Sequence, residues 1–411
     1  MTDQSEADLF KKTIISLVYD KYNSLKVGGK PQEHEWTVLA SIIKEEDGKF
    51  EVIVITTGTK CVGEHSLSSQ GLLVNDCHAE VLARRCFILY LMDQIANCKN
   101  GMADQSVFQL STDPSFQYIL KDGIHFHLYI SQSPCGYASE YYEEEGKRKA
   151  LEIANAKVRA SKRRCLGFDE VEVHFPCQDN TKDCTNITKQ LKEEGESYHR
   201  TGAKYDMQSQ VLHLSTKPGR GDPSRSYSCS DKLCMYNHIG YQGGLLSTFL
   251  PPIYMKSIII SGQWDEERMK EALIQRVSHP ADDSVYTPPV IYRCPPNSPL
   301  SESEVVKGLK GKRLASSGSS LLWIAPNQTE TLIAGKGVRL GTNVKKGITK
   351  KNASKICPSS LLSVYHSLAW EDGEKKSYWS IKRSASTYQE RKSSLFAEWK
   401  RKDRQLLAFC E

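Results

Sequence analysis

Apolar residues follow two different periods along the chain, and together these periods predict helices packed against a sheet. Over residues 78–96 (HAEVLARRCFILYLMDQIA) they recur at intervals of three and four, which is typical of a helix with one face in a core. Residues 50–57 (FEVIVITT) and 125–131 (HFHLYIS) are short and rich in β-branched or aromatic side chains, as buried strands are. The order strand, loop, helix, strand therefore predicts an α/β fold.

The remaining segments are less regular, and no repeat or convincing linker divides them. Residues 36–44 have no clear period, and within residues 136–224 only a charged helix at 141–160 is predicted. A single domain is therefore expected. The other predicted elements are a helix and turn within residues 1–35, a helix at 236–249, a strand at 253–261, a loop-rich zone at 286–320, and helices at 358–372 and 384–404.

The composition is that of an ordinary folded protein. Of the 411 residues, 39% are apolar and 25% are charged, which argues against wholesale disorder. The first residues lack the charged start and apolar run of a secretory signal, and no apolar stretch reaches the length of a membrane span. The thirteen cysteines are odd in number and scattered, so we expect reduced thiols in an intracellular protein of the cytoplasm or nucleus, with no membrane partner.

Positive charge is concentrated in three places, although the formal net charge is only +6. The basic runs are residues 159–164 (RASKRR), 345–355 (KKGITKKNASK) and 375–404. A single run of this kind is usually a solvated face. Three basic runs in one chain suggest that it binds a polyanion.

Two short motifs carry the chemistry. His78-Ala79-Glu80 opens the predicted helix, and Pro134-Cys135 follows the second strand. In zinc nucleobase deaminases a His-x-Glu and a later Pro-Cys bring their His and Cys to one ion from neighbouring helix ends. The positive end of a helix favours the anionic species that such a site holds. The two motifs therefore predict zinc, with His78 and Cys135 as ligands.

Glu80 is predicted to move protons. Zinc with three protein ligands keeps a fourth position for water and lowers the pKa of that water to about 7. Glu80 lies two residues beyond the His ligand and is not needed to complete the ligand set. Its carboxylate can take the proton of the water and deliver it to the purine ring and the leaving amine.

Spacing leaves the third ligand open. The compact signature Pro-Cys-x-x-Cys would place a second cysteine at position 138, which is Ala138. The candidates are Cys177, Cys184, Cys229 and Cys234. For any isolated cysteine the ordinary role is that of a small buried apolar side chain.

Four groups of residues resemble the deaminase domain of the adenosine deaminases acting on RNA. They are Thr57-Gly58-Thr59-Lys60-Cys61, Asn75-Asp76-Cys77-His78-Ala79-Glu80 with Arg84-Arg85, Ser133-Pro134-Cys135-Gly136, and Ser228-Cys229-Ser230-Asp231-Lys232 with Gln242-Gly243. The resemblance implies Cys229 as the third zinc ligand and leaves Cys234 without a family role. It also implies an α/β fold with a three-layer, cytidine-deaminase-like core sheet, helices on both faces, and a C-terminal helical extension. We expect a helical lead-in at 1–28 and the deaminase domain at 29–411.

Three further motifs resemble the branch of this family that acts on tRNA. They are Gly29-Lys30-Pro31 with His34-Glu35-Trp36-Thr37, Arg200-Thr201-Gly202-Ala203-Lys204, and Lys217-Pro218-Gly219-Arg220-Gly221-Asp222. This resemblance implies conversion of adenosine to inosine at position 37, next to the anticodon of alanine tRNA. Because the match begins within about 30 residues of Met1, we expect no double-stranded-RNA-binding domain ahead of it.

The implied reaction is hydrolytic. A flipped-out adenine enters the pocket, activated water attacks C6, and Glu80 carries protons to N1 and to the departing ammonia. Thr59 and Lys60 are expected to contact the target nucleotide. The alternatives are editing of another structured RNA, deamination of cytidine or of a free nucleoside, and a zinc-containing RNA-binding protein without catalysis. Retention of Glu80 disfavours the last, and no DNA or obligate protein partner is expected.

The family resemblance also implies inositol hexakisphosphate buried in the core. A buried polyanion needs many cationic donors, because an unpaired buried charge is prohibitively costly. Met235 and Tyr236 stand where Arg and Trp are usual, and Pro358 falls where a lysine is expected, so the site has fewer donors here. The positions that match contacts to the phosphates are Asn75, Arg84, Arg85, Lys232, Gln242, Tyr378, Lys382, Tyr388, Lys392, Trp399 and Lys402.

Overall fold

An eight-stranded mixed sheet lies at the centre of the computed structural model, which describes residues 2–139, 214–217, 222–279, 286–294, 298–309, 313–369, 375–399 and 403–410. The strand order is β10-β9-β8-β2-β3-β12-β13-β14. The pairs β10/β9 and β9/β8 are parallel, and the other neighbours are antiparallel. The strands of this sheet are β2 (Leu39–Glu46), β3 (Lys49–Thr57), β8 (Ile124–Ile130), β9 (Ser257–Ser261), β10 (Val290–Cys294), β12 (Ser319–Ile324), β13 (Gln328–Ile333) and β14 (Val338–Arg339).

Shorter strand pairs and helices surround this sheet. Three two-stranded ribbons are formed by β1 (Glu35–Trp36) with β11 (Ala315–Ser316), β4 (Thr59–Cys61) with β5 (Asp76–His78), and β6 (Phe108–Leu110) with β7 (Tyr118–Leu120). The helices are α1 (Thr2–Ser24), α2 (Ala79–Lys99), α3 (Cys229–Ile239), α4 (Gly243–Leu246), α5 (Glu266–Lys270), α6 (Glu302–Val305), α7 (Pro358–Ala369), α8 (Tyr378–Ser384) and α9 (Ser386–Leu395). None of these described helices combines the length and the apolar character needed to cross a bilayer.

Helices cover both faces of the sheet, which makes three layers. In β12, Leu322 and Ile324 belong to the cluster that contains α2, whereas Leu321 and Trp323 belong to the cluster that contains α1. Successive side chains of a strand point to opposite faces, so a strand buried on both sides is apolar throughout. The predicted α/β fold with helices on both faces and a C-terminal helical region is confirmed.

Burial on both faces also explains a strand that the pattern did not predict. The segment without a period at 36–44 contains most of β2, which lies between β8 and β3. Its first five residues are all buried. A central strand of this kind has no solvent face to produce polar alternation.

Several predicted boundaries differ from the structure. Helix α3 begins seven residues before the helix predicted at 236–249, which breaks at Gly240 with φ of 93°. The tail forms α7, α8 and α9 rather than two helices, and the zone at 286–320 contains β10 and α6. The lead-in helix α1 is part of the core, since Ile14 and Val18 are fully buried. The predicted helix at 141–160 and the basic run at 159–164 lie outside the described residues.

Candidate metal centre

Three side chains from separate parts of the chain meet at the N-terminal end of α2. His78 ends β5, Cys135 lies in the loop after β8, and Cys229 is the first residue of α3. One imidazole nitrogen and the two Sγ atoms all lie within 4.8 Å of one another. A nitrogen and two sulfurs at this spacing suit tetrahedral zinc, whose bonds to them are about 2.0–2.3 Å long. The residues present therefore fit a zinc ion with three protein ligands.

The ribbon of β4 and β5 fixes the position of His78. Thr59 is its direct partner across the ribbon, and the amide of Ala79 donates a hydrogen bond to the Gly58 carbonyl at 3.1 Å. A Cβ atom at Gly58 would lie 2.0 Å from the Cys77 carbonyl oxygen, so only glycine allows this close approach.

Asp76 orients the imidazole. Its Oδ1 lies 2.8 Å from His78 Nδ1, which leaves Nε2 for the metal. A carboxylate behind a ligating histidine fixes the ring and raises its basicity. Burial alone would raise the pKa of Asp76, but the positive charges of Lys217 and Lys232 hold it well below its usual range. Asp76 is therefore an anion, ion-paired with both lysines.

Lys217 was not predicted to be a site residue. In the sequence it appears only as the first residue of a motif that resembles the tRNA branch. It is buried, with Nζ 2.7 Å from Asp76 Oδ2 and 3.1 Å from Cys229 Sγ. Burial would lower the pKa of this ammonium, but the negative charges of Asp76 and Cys229 raise it well above its usual value. With zinc bound, two thiolates would balance the ion, and Lys217 with Lys232 would balance Asp76 and Glu80.

Glu80 lies in the first turn of α2 and is only 4% exposed. Its Oε2 atom has no hydrogen-bond partner among the residues that the structure describes. A buried carboxylate oxygen without a partner is costly in a purely structural role, because its desolvation is not compensated. It is suited to exchange protons with a bound substrate.

Cys229, and not Cys234, lies with the other two ligands. The backbone amide of Cys229 donates to Cys135 Sγ at 3.4 Å, and the hydrogen bond between the two side chains holds the pKa of Cys135 well below its usual range. Cys234 is buried beside Arg276, and burial raises the pKa of its thiol. Cys234 thus has the ordinary buried role, and the alternatives Cys177 and Cys184 lie outside the described residues.

Helix α3 is anchored at the end that carries Cys229. Ser228 caps it, with Oγ accepting from the Asp231 amide at 3.1 Å and donating to Asp231 Oδ2 at 2.6 Å. The same carboxylate accepts from the Ser215 amide at 2.9 Å and pairs with Arg276 at 2.8 Å. Asp231 therefore ties the ligand helix both to Arg276 and to the short segment that carries Lys217.

The family model of the adenosine-deaminase (editase) domain matches residues 54–405, which include all three candidate ligands and Glu80. The chain belongs to the adenosine-deaminase (editase) family.

Two kinds of relatives in this family are similar to the chain. The double-stranded RNA-specific editase Adar of Drosophila melanogaster is 31% identical over 269 residues, which cover 64% of this chain and 35% of the relative. The tRNA-specific adenosine deaminase 1 of Drosophila melanogaster is 32% identical over 60% of this chain and 54% of its own length. The human tRNA-specific adenosine deaminase 1 is 26% identical over 94% of this chain and 97% of its own. The chain thus spans about a third of the Drosophila editase.

A second cluster of charge lies behind the metal centre of this editase domain. Burial would raise the pKa of the Tyr378 phenol, but the positive charges of Lys382, Arg85 and Arg84 lower it. In the part of the chain that the structure describes, no carboxylate forms a salt bridge with any of these three cations. Convergent cations without acids fit a polyanion such as an inositol phosphate.

Among the other predicted phosphate contacts, Tyr388 lies near Lys382 of this cluster, and Lys392 lies next to Trp399. Lys382 and Tyr388 both approach the backbone of Gly244, and Lys392 Nζ lies 5.7 Å from the centre of the Trp399 ring. The Lys232 ammonium pairs with Asp76 beside the metal centre, and its contact with a phosphate stays a prediction. Lys402 lies outside the described residues.

The remaining predicted contacts, Gln242 and Asn75, form hydrogen bonds within the protein, Gln242 through its side chain and Asn75 through its backbone. Gln242 Nε2 donates to Ser247 Oγ at 3.0 Å, and its Oε1 accepts from the Ile253 amide at 3.0 Å. For Asn75 the bond is made by the backbone, whose carbonyl accepts from the Val62 amide at 3.0 Å. These bonds leave the proposed phosphate contacts of the Gln242 and Asn75 side chains as predictions.

The departures from the family pattern have local explanations. The guanidinium of Arg84 stacks over the Tyr236 ring at 4.2 Å, so an aromatic surface is retained where Trp is usual. Pro358 is the first residue of α7, a position where its fixed φ suits a helix. Met235 is buried in the main core cluster.

The predicted substrate contacts lie on β4. Thr59 is opposite His78, and its Oγ1 is buried without a partner in the described ranges. Lys60 follows it on the same strand. Contact of either residue with a nucleotide stays a prediction.

Proposed function

We propose that this protein converts adenosine to inosine in tRNA by hydrolytic deamination. The substrate class is supported by the share of the two chains that aligns. The human tRNA-specific adenosine deaminase 1 aligns over 94% of this chain and 97% of its own length. The alignment with the Drosophila editase covers 64% and 35%. A match over nearly the whole of both chains favours the tRNA branch.

The chemistry rests on His78, Cys135, Cys229 and Glu80. The three ligands would hold Zn²⁺, which when bound supplies water acidic enough to attack at neutral pH. Glu80 Oε2, buried and without a partner in the described structure, takes the proton of the attacking water. It delivers protons to N1 of the adenine and to the amine that leaves from C6.

Lys217 and Asp76 act behind the ligands. Asp76 keeps the imidazole of His78 in the tautomer that presents Nε2, through the 2.8 Å bond to Nδ1. Lys217 donates to Cys229 Sγ at 3.1 Å and so stabilises the thiolate. Thr59, with its buried Oγ1, and Lys60 bind the flipped nucleotide from β4, on which Thr59 lies opposite His78.

We also propose that inositol hexakisphosphate is a structural cofactor bound by the cluster of Arg84, Arg85 and Lys382. The lowered pKa of the buried Tyr378 phenol supports a strongly positive environment there. Lys232 would link the two sites, because its ammonium pairs with Asp76. Position 37 of alanine tRNA is the proposed target, since bases of an anticodon loop are already partly unpaired.

The experiment is a comparison of substrates. The purified protein is incubated with alanine tRNA, with the same tRNA carrying guanosine at position 37, and with a perfect RNA duplex, and inosine is mapped by sequencing. We expect inosine at position 37 of the first tRNA only. Inosine in the duplex but in neither tRNA would favour an editase of double-stranded RNA, and none in any RNA with zinc present would favour a binding protein without catalysis.

A further inference from the structure

One stretch of the chain carries positive charge without any acid to balance it. Between Thr331 and Trp370 the sequence contains no aspartate or glutamate. Five exposed lysines lie between positions 336 and 351 of this stretch, and we call them the lysine surface: Lys336, Lys345, Lys346, Lys350 and Lys351.

The lysine surface is held on a fixed loop. Val344 and Ile348, which alternate with its lysines, pack on a small apolar cluster built around Val62, Leu73 and Val338. Asn343 accepts from the Lys345 amide at 3.2 Å, and Asn352 accepts from the Thr349 amide at 2.8 Å. The lysines are therefore presented by ordered backbone, which lowers the entropy cost of binding through them.

The apolar cluster of Val62, Leu73 and Val338 connects the lysine surface to the metal centre. Val62 directly follows β4, which carries Thr59 and Lys60, and Leu73 lies just before β5, which ends at His78. The Val74 amide also donates to the Gly337 carbonyl at 2.9 Å. The segment that carries the lysine surface therefore packs against the loop between β4 and β5.

The nearby acids are already paired with other cations. His65 Nδ1 lies 2.6 Å from Asp222, Glu64 accepts from Arg225 Nε at 2.6 Å, and Glu330 lies 3.3 Å from Arg339. Within the described ranges, no salt bridge is formed by a member of the lysine surface. Five exposed ammonium groups whose nearby acids are paired with other cations create a positive field that reaches about 8–10 Å at physiological salt.

We propose that the lysine surface binds the phosphate backbone of the RNA whose adenosine enters the metal centre. The inference rests on the proposed function for the identity of that RNA. Phosphate contacts position a nucleic acid without reading its sequence, and lysine serves as a point charge for them. Lysines on ordered backbone, packed on the loop that follows β4, fix the distance between the RNA backbone and the flipped base.

The test measures tRNA binding separately from catalysis. Glu80→Gln is the common background, and the affinity for alanine tRNA is measured by filter binding from 50 to 300 mM KCl. The variants are Lys345→Gln with Lys346→Gln, and Lys350→Gln with Lys351→Gln. The matched control is Lys270→Gln with Lys307→Gln, which removes two exposed lysines that pair with Glu266 and Glu304.

We expect each pair on the lysine surface to lower the slope of log affinity against log salt by about 0.7 to 0.9 for every phosphate that is no longer neutralised. The affinity at low salt falls several-fold to tenfold, and the control pair leaves both quantities unchanged. Because the replaced side chains are exposed, the melting temperatures of all variants stay within a degree or two of the background.

Two results would overturn the inference. One is a lysine-surface variant with the salt slope and affinity of the control pair. The other is wild-type protein that binds a polyglutamate peptide through these lysines more tightly than it binds tRNA. The inosine assay is read independently with Glu80 restored: deamination with an unchanged slope defeats only the lysine surface, whereas a reduced slope without deamination of any RNA defeats only the proposed reaction.

Discussion

The Nζ atom of Lys217 lies 3.1 Å from Cys229 Sγ, in a buried position between the metal ligand and Asp76. The positive charge of Lys217 offsets part of the negative charge that Asp76 and Glu80 add beside the two cysteine ligands. Lys217 follows Thr216, which forms an antiparallel β-bridge with Tyr227.

Replacing Lys217 is predicted to weaken the metal centre. Lys217→Met keeps the length of the side chain but leaves Asp76 with Lys232 as its remaining ion-pair partner and removes a donor from Cys229. Loss of such a supporting contact usually costs about 10- to 100-fold in metal affinity. Competition with a zinc chelator measures it, with Lys256→Met, which removes a partly exposed lysine paired with Glu45, as the control. Equal zinc affinities in the two variants would refute the role of Lys217.

The Asp231–Arg276 ion pair is predicted to stabilise the fold, and the contribution of each side chain is predicted to depend on the presence of the other. Both side chains are buried, with 2.8 Å between Oδ1 and Nη1. Removing one partner leaves a buried charge and costs about 3–5 kcal/mol, whereas removing both can cost less than the sum. Urea unfolding of Asp231→Asn, Arg276→Met and the double variant gives the coupling energy. Additive losses would show that the two side chains do not depend on each other.

Acid is predicted to destabilise the protein through His238. Burial, and next the neighbouring His279, lower its pKa to about 3, while its Nε2 lies 2.9 Å from the Ile274 carbonyl. The unfolded chain binds a proton near pH 6.5 and the folded protein does not, so this stability is complete above pH 6.5 and is lost as the pH falls towards 3.

The measurement for His238 is the free energy of unfolding at pH 7.5 and pH 5. His238→Gln retains an N–H near Nε2 but cannot titrate, so its stability should fall less over this interval than that of the wild type. Equal falls in both proteins would mean that other groups cause the acid sensitivity.

Inositol hexakisphosphate is predicted to raise the melting temperature. A ligand that binds only the folded state stabilises it by about 2.7 kcal/mol at one hundred times its dissociation constant. Lys382→Gln should reduce this shift, because Lys382 contributes to the field that lowers the pKa of Tyr378. Lys270→Gln, on the surface, serves as the control. A shift that is the same in all three proteins would place the ligand elsewhere.

The chemistry of the centre could be predicted from sequence where it depends on helix ends and neighbouring residues. His78-x-Glu80 and Pro134-Cys135 are local motifs, and the structure brings His78 and Cys135 together beside α2. Cys229 required the family resemblance, since spacing does not distinguish it from Cys234. Lys217 had no local signal, because its partner Asp76 lies 141 residues away in the chain.

The fold shows the same division. Strands β3 and β8 and helix α2 were predicted because each is long and rich in one kind of side chain. Strand β2 was missed because burial on both faces removes alternation. Helix α8 was missed because its seven residues are too few to show a clear period, and it lies between the helices predicted at 358–372 and 384–404.

The central claim is that Glu80 catalyses deamination of tRNA at a zinc centre. It is tested most directly by measuring zinc content and the rate of inosine formation in alanine tRNA in the same samples of wild-type protein and Glu80→Gln. We predict about one zinc per chain in both and a rate that falls by about 10²- to 10⁴-fold in the variant. Full zinc with an undiminished rate of inosine formation in Glu80→Gln would contradict the account.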